Sequence, residues 1–132
     1  MRVSVLCIGD ELLKGSTVNT NLAFIGQKLL ETGIIPQIAI ETADRKEDIL
    51  EALEFALSKA ETVICSGGLG PTADDITKET IAARFGYPLV ENGEVAAAIS
   101  RHWHKLKRGD MPSRFLNQAL VPADADILHN SC

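Results

Sequence analysis

Apolar and polar positions along this chain fall into blocks with the period of either a strand or a helix. Three short apolar runs, "RVSVLCIG", "IIPQIAIET" and "ETVICSGG", predict buried strands. Pro36 weakens the second run and places it towards a sheet edge. A stretch with helical periodicity follows each strand. The order β-α-β-α-β-α predicts an α/β fold with a mainly parallel sheet covered on both faces.

The first two helices are predicted within "STVNTNLAFIGQKLLETG" and "ADRKEDILEALEFALSKA". Ser16 or Thr17 is expected to cap the first. Asp44 and Glu47 have the spacing of a capping box at the start of the second. The side chains expected to face inward are Val18, Leu22, Ile25, Leu29, Ile49, Leu53 and Ala56.

A third helix is predicted within "TADDITKETIAARFG", with Asp74 and Asp75 in its first turn. A short extended piece, "YPLVEN", separates it from a fourth helix, "GEVAAAISRHWHKLKRG". In that helix Val95, Ile99 and Leu106 are expected to point inward. The last stretch, "MPSRFLNQALVPADADILHN", has loop character with a short strand at its end.

Composition narrows the class of protein. A chain of 132 residues with 45% apolar and 23% charged residues suits one globular domain. No apolar run approaches the ~20 residues of a membrane span, and the N-terminus lacks signal-peptide features, so a cytoplasmic location is expected. The net charge of −5 disfavours nucleic acid as a partner. Of the three cysteines, Cys7 and Cys65 are predicted to be buried free thiols, and Cys132 ends the chain.

Three stretches directly follow the predicted strands: "GDELLKGS", "ETADRK" and "SGGLGPTADD". The carboxyl ends of parallel strands share one edge, and ligands of such folds bind beyond it. In the third stretch, Gly67, Gly68 and Gly70 allow a close backbone approach, and the next helix offers unpaired N–H groups. The sequence therefore predicts a phosphate site, with a simple tight turn as the alternative.

Two adjacent carboxylates complicate that site. Charges about 4 Å apart repel by roughly 1 to 4 kcal/mol, so Asp74 and Asp75 beside a phosphate need a cation between them. Mg²⁺ bridges carboxylates to phosphates in this way. The alternatives are helix capping for Asp74, Asp75 and Asp44, and a solvated loop acid for Glu11.

The same loop also fits a dinucleotide-binding fingerprint loosely. Residues 68–73 match GxGxxA, and Glu91 lies about 20 residues further on. That fingerprint belongs to the first strand-helix turn, however, and this loop follows the third strand. Dinucleotide binding is therefore a weaker alternative.

Three motifs together carry a family resemblance. In order and spacing, "GDELLKGSTVNTN", "SGGLGPTADDITKE" and "LNQALVPADADILHN" resemble the N-terminal domain of the CinA (competence/damage-inducible) family, within the MoaB/Mog molybdopterin-binding superfamily. The resemblance covers nearly the whole chain. It implies a three-layer α/β/α fold of the MoaB/Mog type, with its site at the three loops named above.

The resemblance also implies chemistry. CinA-type domains are similar to metal-dependent pyrophosphatases that act on ADP-ribose, so Asp75 and Asp44 are the expected catalytic residues. Asp75, Asp74 and Asp44 are the expected metal ligands, and Thr77 is expected to support the Asp75 loop. The residues expected to bind substrate and phosphate are Gly67, Gly68, Gly70, Thr72, Glu11 and Asn19, with Asn21 nearby.

Further expectations concern cofactors and partners. The metal is expected to be Mg²⁺ or another divalent cation such as Co²⁺, with K⁺ as a further candidate. The ligand is expected to be a nucleotide or pterin phosphate, and the protein a homo-oligomer, dimer or trimer. Alternatives are a binding module without turnover and the pterin adenylylation of MogA-like relatives. The resemblance implies that the single domain, residues 1–132, is incomplete, because in the family such a chain continues into a "GxAPG" loop.

Overall fold

A three-stranded parallel sheet forms the centre of the fold. Its strands are β1 (Val3–Ile8), β2 (Ala39–Thr42) and β3 (Thr62–Ser66), in the order β2-β1-β3. The computed structural model describes residues 1–106 and 109–129. The three predicted strands and the α/β class are confirmed.

The register of the sheet explains the apolar pattern of each strand. β1 pairs with both neighbours, Leu6 lying beside Ile40 and Cys65, and all six of its residues are buried. A central parallel strand covered on both faces needs a nearly continuous apolar run, and "VSVLCI" supplies one, interrupted only by Ser4, whose buried hydroxyl donates to the Ala56 carbonyl at 3.2 Å. Within the described residues β2 pairs only with β1, so it lies at the sheet edge, and Pro36 precedes it.

The four predicted helices are confirmed, and a fifth, very short one follows β1. In chain order they are α1 (Asp10–Leu13), α2 (Thr20–Glu31), α3 (Lys46–Lys59), α4 (Thr77–Arg84) and α5 (Gly93–Lys105). The core forms where α3 packs on β1, through Leu6, Ile8, Ile49 and Leu53. Ala56 is also buried, so the predicted inner face of α3 is correct.

Two predicted helix caps are wrong. The side chain of Asn19, not of Ser16 or Thr17, caps α2 by accepting the Leu22 N–H at 2.9 Å. Val18 therefore lies outside the helix and is 82% exposed. The start of α3 has no side-chain cap, because the Asp44 carboxylate accepts a hydrogen bond from a different loop, described below.

The C-terminal part forms a second, smaller sheet. β4 (Leu89–Glu91) pairs antiparallel with β5 (Leu120–Pro122), which follows a 3-10 helix (Ser113–Ala119). The final strand was predicted at the end of the last stretch, but it lies before that end. Val95 and Ile99 of α5 are half-buried, but Leu106 is exposed, so its predicted inward position is wrong. Among the described residues, no helix has both the length and the apolar character needed to cross a membrane.

The sheet cysteines behave as small apolar residues, as predicted. Cys7 is buried, Cys65 is half-buried, and both thiols are free. Burial raises the pKa of the Cys65 thiol to about 11, and the nearby Cys7 adds to the rise. Cys132 lies outside the described residues.

We expect Cys65 of the folded protein to react with iodoacetamide at pH 8 about tenfold more slowly than in the urea-unfolded chain. At pH 8, well below this pKa of about 11, the thiol stays protonated, and little of the reactive thiolate is present. The greater nucleophilicity of the remaining thiolate offsets part of this loss. Timed alkylation followed by peptide mass spectrometry measures both rates, and equal rates would contradict the assigned burial.

Candidate functional site

The loops after the three parallel strands meet at one edge of the sheet, as predicted. The N–H of Gly9, after β1, donates to the Thr42 carbonyl at the end of β2 at 2.9 Å. Gly67, after β3, has a φ of 99° and lies so close to β1 that a Cβ there would overlap the Ile8 carbonyl oxygen. Asn21 at the start of α2 donates to the Ser66 hydroxyl at 2.9 Å.

The glycine loop between β3 and α4 presents free backbone donors. Gly68 has a φ of 60°, and its carbonyl accepts the Thr77 N–H at 3.2 Å, which ties the loop to the start of α4. Within the described part of the chain, the N–H groups of Gly68 and Leu69 donate no hydrogen bond. Such N–H groups beside a helix N-terminus suit an anion.

Asp75 closes this loop on itself. Its Oδ2 accepts the Thr72 N–H at 3.0 Å and the Thr72 hydroxyl, and it lies 2.5 Å from the position that a Cβ on Gly70 would take. The Thr72 hydroxyl is the first cause that lowers the pKa of Asp75, with the N–H groups of Gly70 and Thr72 contributing. Asp75 is therefore an ionised side chain whose hydrogen bonds fix the shape of the loop.

The helix placement of the two aspartates is wrong. α4 begins at Thr77, so Asp74 and Asp75 lie in the preceding loop rather than in its first turn. Asp74 is exposed and accepts no hydrogen bond from the described residues. Neither caps α4, because its N-cap residue is Ile76 and no side chain caps the helix.

Asp44 is held by Asp10 in a reciprocal pair. The Asp10 N–H donates to Asp44 Oδ2 at 3.0 Å, and the Asp44 N–H donates to Asp10 Oδ1 at 3.2 Å. Lys14 Nζ contacts Asp10 Oδ2 at 3.0 Å, and this hydrogen bond is the first cause that lowers the pKa of Asp10. The capping interpretation of Asp44 is therefore wrong. Asp44 Oδ1 accepts no hydrogen bond from the described residues.

Two small pockets adjoin the glycine loop and are lined by several predicted site residues, but Asp44 and Asp74 line neither of them. A pocket of about 40 Å³ is lined by Gly68, Gly70, Thr72 and Asp75 among others. A pocket of about 100 Å³ is lined by Glu11, Asn19, Asn21 and Gly67 among others. Each suits a group no larger than a phosphate or a small ring, so a whole nucleotide would span both.

Some predicted binding groups are already engaged. Asn19 caps α2 through Oδ1 and donates from Nδ2 to Glu41 at 2.8 Å. The Thr72 hydroxyl donates to Asp75, so it is not free for phosphate in this state. Glu11 is exposed, and its carboxylate folds back against Gly9.

Comparisons with known proteins place the chain in a family. The family described as "Probable molybdopterin binding domain" matches residues 4–126. The crystal structure of the protein CinA from Thermoplasma acidophilum superposes with a TM-score of 0.83 at 35% identity, over 98% of this chain and 75% of that chain. The chain belongs to the CinA-like family of molybdopterin-binding domains.

Other relatives agree with this assignment. A CinA-like protein of Nostoc punctiforme is 41% identical over 130 residues, which is 98% of this chain and 31% of that protein. The chain thus spans about a third of the length of that relative. The tungsten cofactor synthesizing protein MoaB from Pyrococcus furiosus matches with a TM-score of 0.60 at 26% identity, over 80% of this chain and 64% of that chain.

The CinA-like domain contains site residues that the sequence did not single out. Lys78 Nζ donates to the Asn117 carbonyl at 2.7 Å, and Gln118 Nε2 donates to the Leu69 carbonyl at 3.3 Å. The first bond joins the 3-10 helix to α4, and the second joins it to the glycine loop. Asp10 was also missed, although it follows β1 directly, as Asp44 follows β2. The position of Asp10 directly after a strand end was the sequence feature that could have indicated its place in the site.

The carboxylates of the CinA-like domain do not form a ready metal centre. Across residues 1–106 and 109–129, no three His, Cys, Asp or Glu side chains cluster closely enough to hold a metal ion. Asp44 and Asp75 both adjoin the glycine loop, at Gly68 and Gly70 respectively, but Asp74 joins neither. A cation there would need ligand phosphates to complete its coordination, as Mg²⁺ commonly does.

The dinucleotide interpretation does not suit the CinA-like domain. In that fingerprint the glycine turn leads straight into a helix, whereas α4 begins only at Thr77, four residues after Ala73. Glu91, the acid expected to meet a ribose, lies in β4, where it pairs with Leu120 in the second sheet. The structure therefore lacks the direct turn into a helix that the fingerprint requires.

Proposed function

We propose that this CinA-like domain binds a nucleotide or a pterin phosphate at the loop edge of its parallel sheet, and hydrolyses a nucleotide pyrophosphate such as ADP-ribose. The observation that carries the proposal is the glycine loop. Its Gly68 and Leu69 N–H groups are unpaired, and Asp75 fixes its shape. Family membership supports a small phosphorylated ligand.

Different groups around the loop bind different parts of the ligand. The two free N–H groups donate to phosphate oxygens and stabilise the negative charge that develops there. Lys78 lines the same pocket and adds a positive charge. The second pocket, beside α2, takes the remainder of the ligand, with Glu11 at its wall.

Asp44 is the proposed general base. Its Oδ2 is fixed by the Asp10 N–H, whereas its Oδ1 is free to accept a proton from water. That water attacks one phosphorus of the pyrophosphate, the P–O–P bond breaks, and AMP and ribose 5-phosphate leave. Asp75 is a weaker candidate for this role, because its lowered pKa and two hydrogen bonds make it a poor base.

A divalent cation, Mg²⁺ or Co²⁺, recruited together with the ligand, would neutralise phosphate charge beside Asp44 or Asp75. K⁺ is a further candidate for the same position. The proposal also includes a homo-oligomer, dimer or trimer, and a cytoplasmic location without a nucleic-acid partner. The net charge of −5 argues against a nucleic-acid partner, and the unpaired outer edge of β2, among the described residues, supports an oligomer.

One observation favours a second candidate, a binding module without turnover. No metal-ligand cluster is formed in advance within the described residues, so hydrolysis depends wholly on a recruited ion. A molybdopterin- or nucleotide-binding module, or a domain that adenylylates a pterin, does not require hydrolysis of ADP-ribose.

Incubation with ADP-ribose separates the candidates. With Mg²⁺ or Co²⁺ we expect AMP and ribose 5-phosphate in equal amounts by chromatography, and with EDTA or K⁺ alone at least a tenfold lower rate. Titration calorimetry with ADP-ribose, AMP and molybdopterin measures binding separately, and the CinA-like protein of Nostoc punctiforme serves as a comparator. Binding without product formation would support the binding module. The absence of both binding and product formation would contradict both candidates.

A further inference from the structure

The hydroxyl of Thr77 is buried without a hydrogen-bond partner in the described structure. Thr77 is the first residue of α4 and is 1% exposed, and its Oγ1 is the unpaired atom. A buried polar atom without a partner costs free energy, and native proteins seldom retain one without a reason. The backbone of Thr77 is fixed, since its N–H donates to the Gly68 carbonyl at 3.2 Å.

The missing side chain of Gly68 leaves this hydroxyl next to Asp44. A Cβ on Gly68 would overlap Thr77 Oγ1, and it would lie 3.2 Å from Asp44 Oδ1. Both oxygen atoms therefore lie within 3.2 Å of one point. Only a residue without a side chain, with a positive φ, fits between them.

A candidate acceptor for this hydroxyl lies within the protein. In the described structure Thr77 Oγ1 has almost no accessible surface, so an acceptor within the protein is the nearer candidate. Asp44 Oδ1 is the nearby acceptor that takes no hydrogen bond from the described residues, while Oδ2 is held by Asp10. A small shift of the Gly68 loop would bring donor and acceptor together.

We propose that Thr77 is a positioning residue for Asp44. When a phosphate binds the N–H groups of Gly68 and Leu69, the loop shifts and the Thr77 hydroxyl donates to Asp44 Oδ1. Asp44 is then held at both oxygens, in the orientation that its role as base requires. This inference rests on the proposed function and adds a residue to its machinery.

The test compares two substitutions of Thr77. Thr77→Val keeps the shape and removes the hydroxyl, and Thr77→Ser keeps the hydroxyl. We expect Thr77→Val to lower kcat for ADP-ribose by about ten- to a hundredfold with little change in KM, because a hydrogen bond to a charged group is lost. We expect Thr77→Ser to restore kcat to within about threefold of wild type.

The melting temperature of Thr77→Val distinguishes the positioning role from a merely structural one, because the two roles predict different changes. Removing an unpaired buried hydroxyl should leave the melting temperature of Thr77→Val unchanged or higher. A structural role would lower both stability and activity. If wild type turns over and Thr77→Val has the same kcat, the positioning role is wrong while the proposed function stands.

A double-mutant cycle covers the case in which wild type shows no turnover, which would overturn the proposed function. Thr77→Val, Asp44→Asn and the double variant are compared by urea unfolding. With inorganic phosphate present, which the proposal requires for the loop shift, their effects on the unfolding midpoint should be non-additive. Additive effects would overturn the pairing of Thr77 with Asp44.

Discussion

Replacing Asp75 with alanine is expected to reduce ADP-ribose hydrolysis at least about a hundredfold, whereas Asp74→Ala should stay within about twofold of wild type. The two aspartates are neighbours in sequence, but only Asp75 organises the glycine loop, through Thr72 and against Gly70. Without Asp75 the N–H groups of Gly68 and Leu69 lose their fixed directions. Losing one aligned donor of this kind typically costs about 10²–10³ in kcat.

The pKa of Asp75 determines how far the pH can fall before the glycine loop loses its shape. Because the folded-state pKa is below its usual value, the contribution of the carboxylate is present above the usual pKa. It is lost as pH falls through the lowered value. The loop should therefore keep its shape at neutral and mildly acidic pH, and the comparison is best made near pH 7.5.

The measurement is the initial rate of AMP formation for wild type, Asp75→Ala and Asp74→Ala, with circular dichroism to confirm folding. Calorimetry with AMP shows whether binding falls with rate, as expected if the loop holds phosphate. Equal losses in both variants would mean that local negative charge, not loop order, is what matters. Full activity in Asp75→Ala would remove the loop from the proposed mechanism.

Gly67→Ala is expected to give the largest loss of stability for a single methyl group in this chain. The φ of 99° is unfavourable for alanine, and the new Cβ would overlap the carbonyl oxygen of Ile8. Ile8 ends β1, the buried central strand, so the backbone has little freedom to move away. We expect the free energy of unfolding to fall by at least about 3 kcal/mol.

Gly33→Ala is the matched control. Gly33 also has a positive φ, 76°, but no atom lies within 4 Å of its Cβ position. Its replacement should cost only the conformational strain, about 1 to 2 kcal/mol. Urea unfolding of both variants gives the difference, and a similar cost at the two positions would show that β1 and β3 are not in such close contact.

Local patterns predicted the elements because their causes are local. The apolar run of β1 and the face of α3 that carries Ile49 and Leu53 need no knowledge of distant residues. Helix starts were less accurate, since several nearby residues can cap. Asn19 was preferred over Ser16 and Thr17 because its Oδ1 reaches the Leu22 N–H.

The site was predictable only as a location. The edge, the glycine loop and the general position of Asp44 and Asp75 follow from the alternation of strands and helices along the chain, which the sequence indicates well. The partners of these residues do not. Asp10 meets Asp44 across 34 positions, and Gln118 meets Leu69 across 49, so neither contact leaves a trace in local periodicity.

The exchange of two hydrogen bonds between Asp10 and Asp44 has a mechanical consequence. Each residue gives its amide to the other's carboxylate, so separating the first two strand-end loops breaks both links in one event. We therefore expect the two loops to move together rather than independently. Among the described residues, the glycine loop is held to the 3-10 helix by the single hydrogen bond from Gln118 to the Leu69 carbonyl, so it should move more readily than the paired loops when a ligand binds.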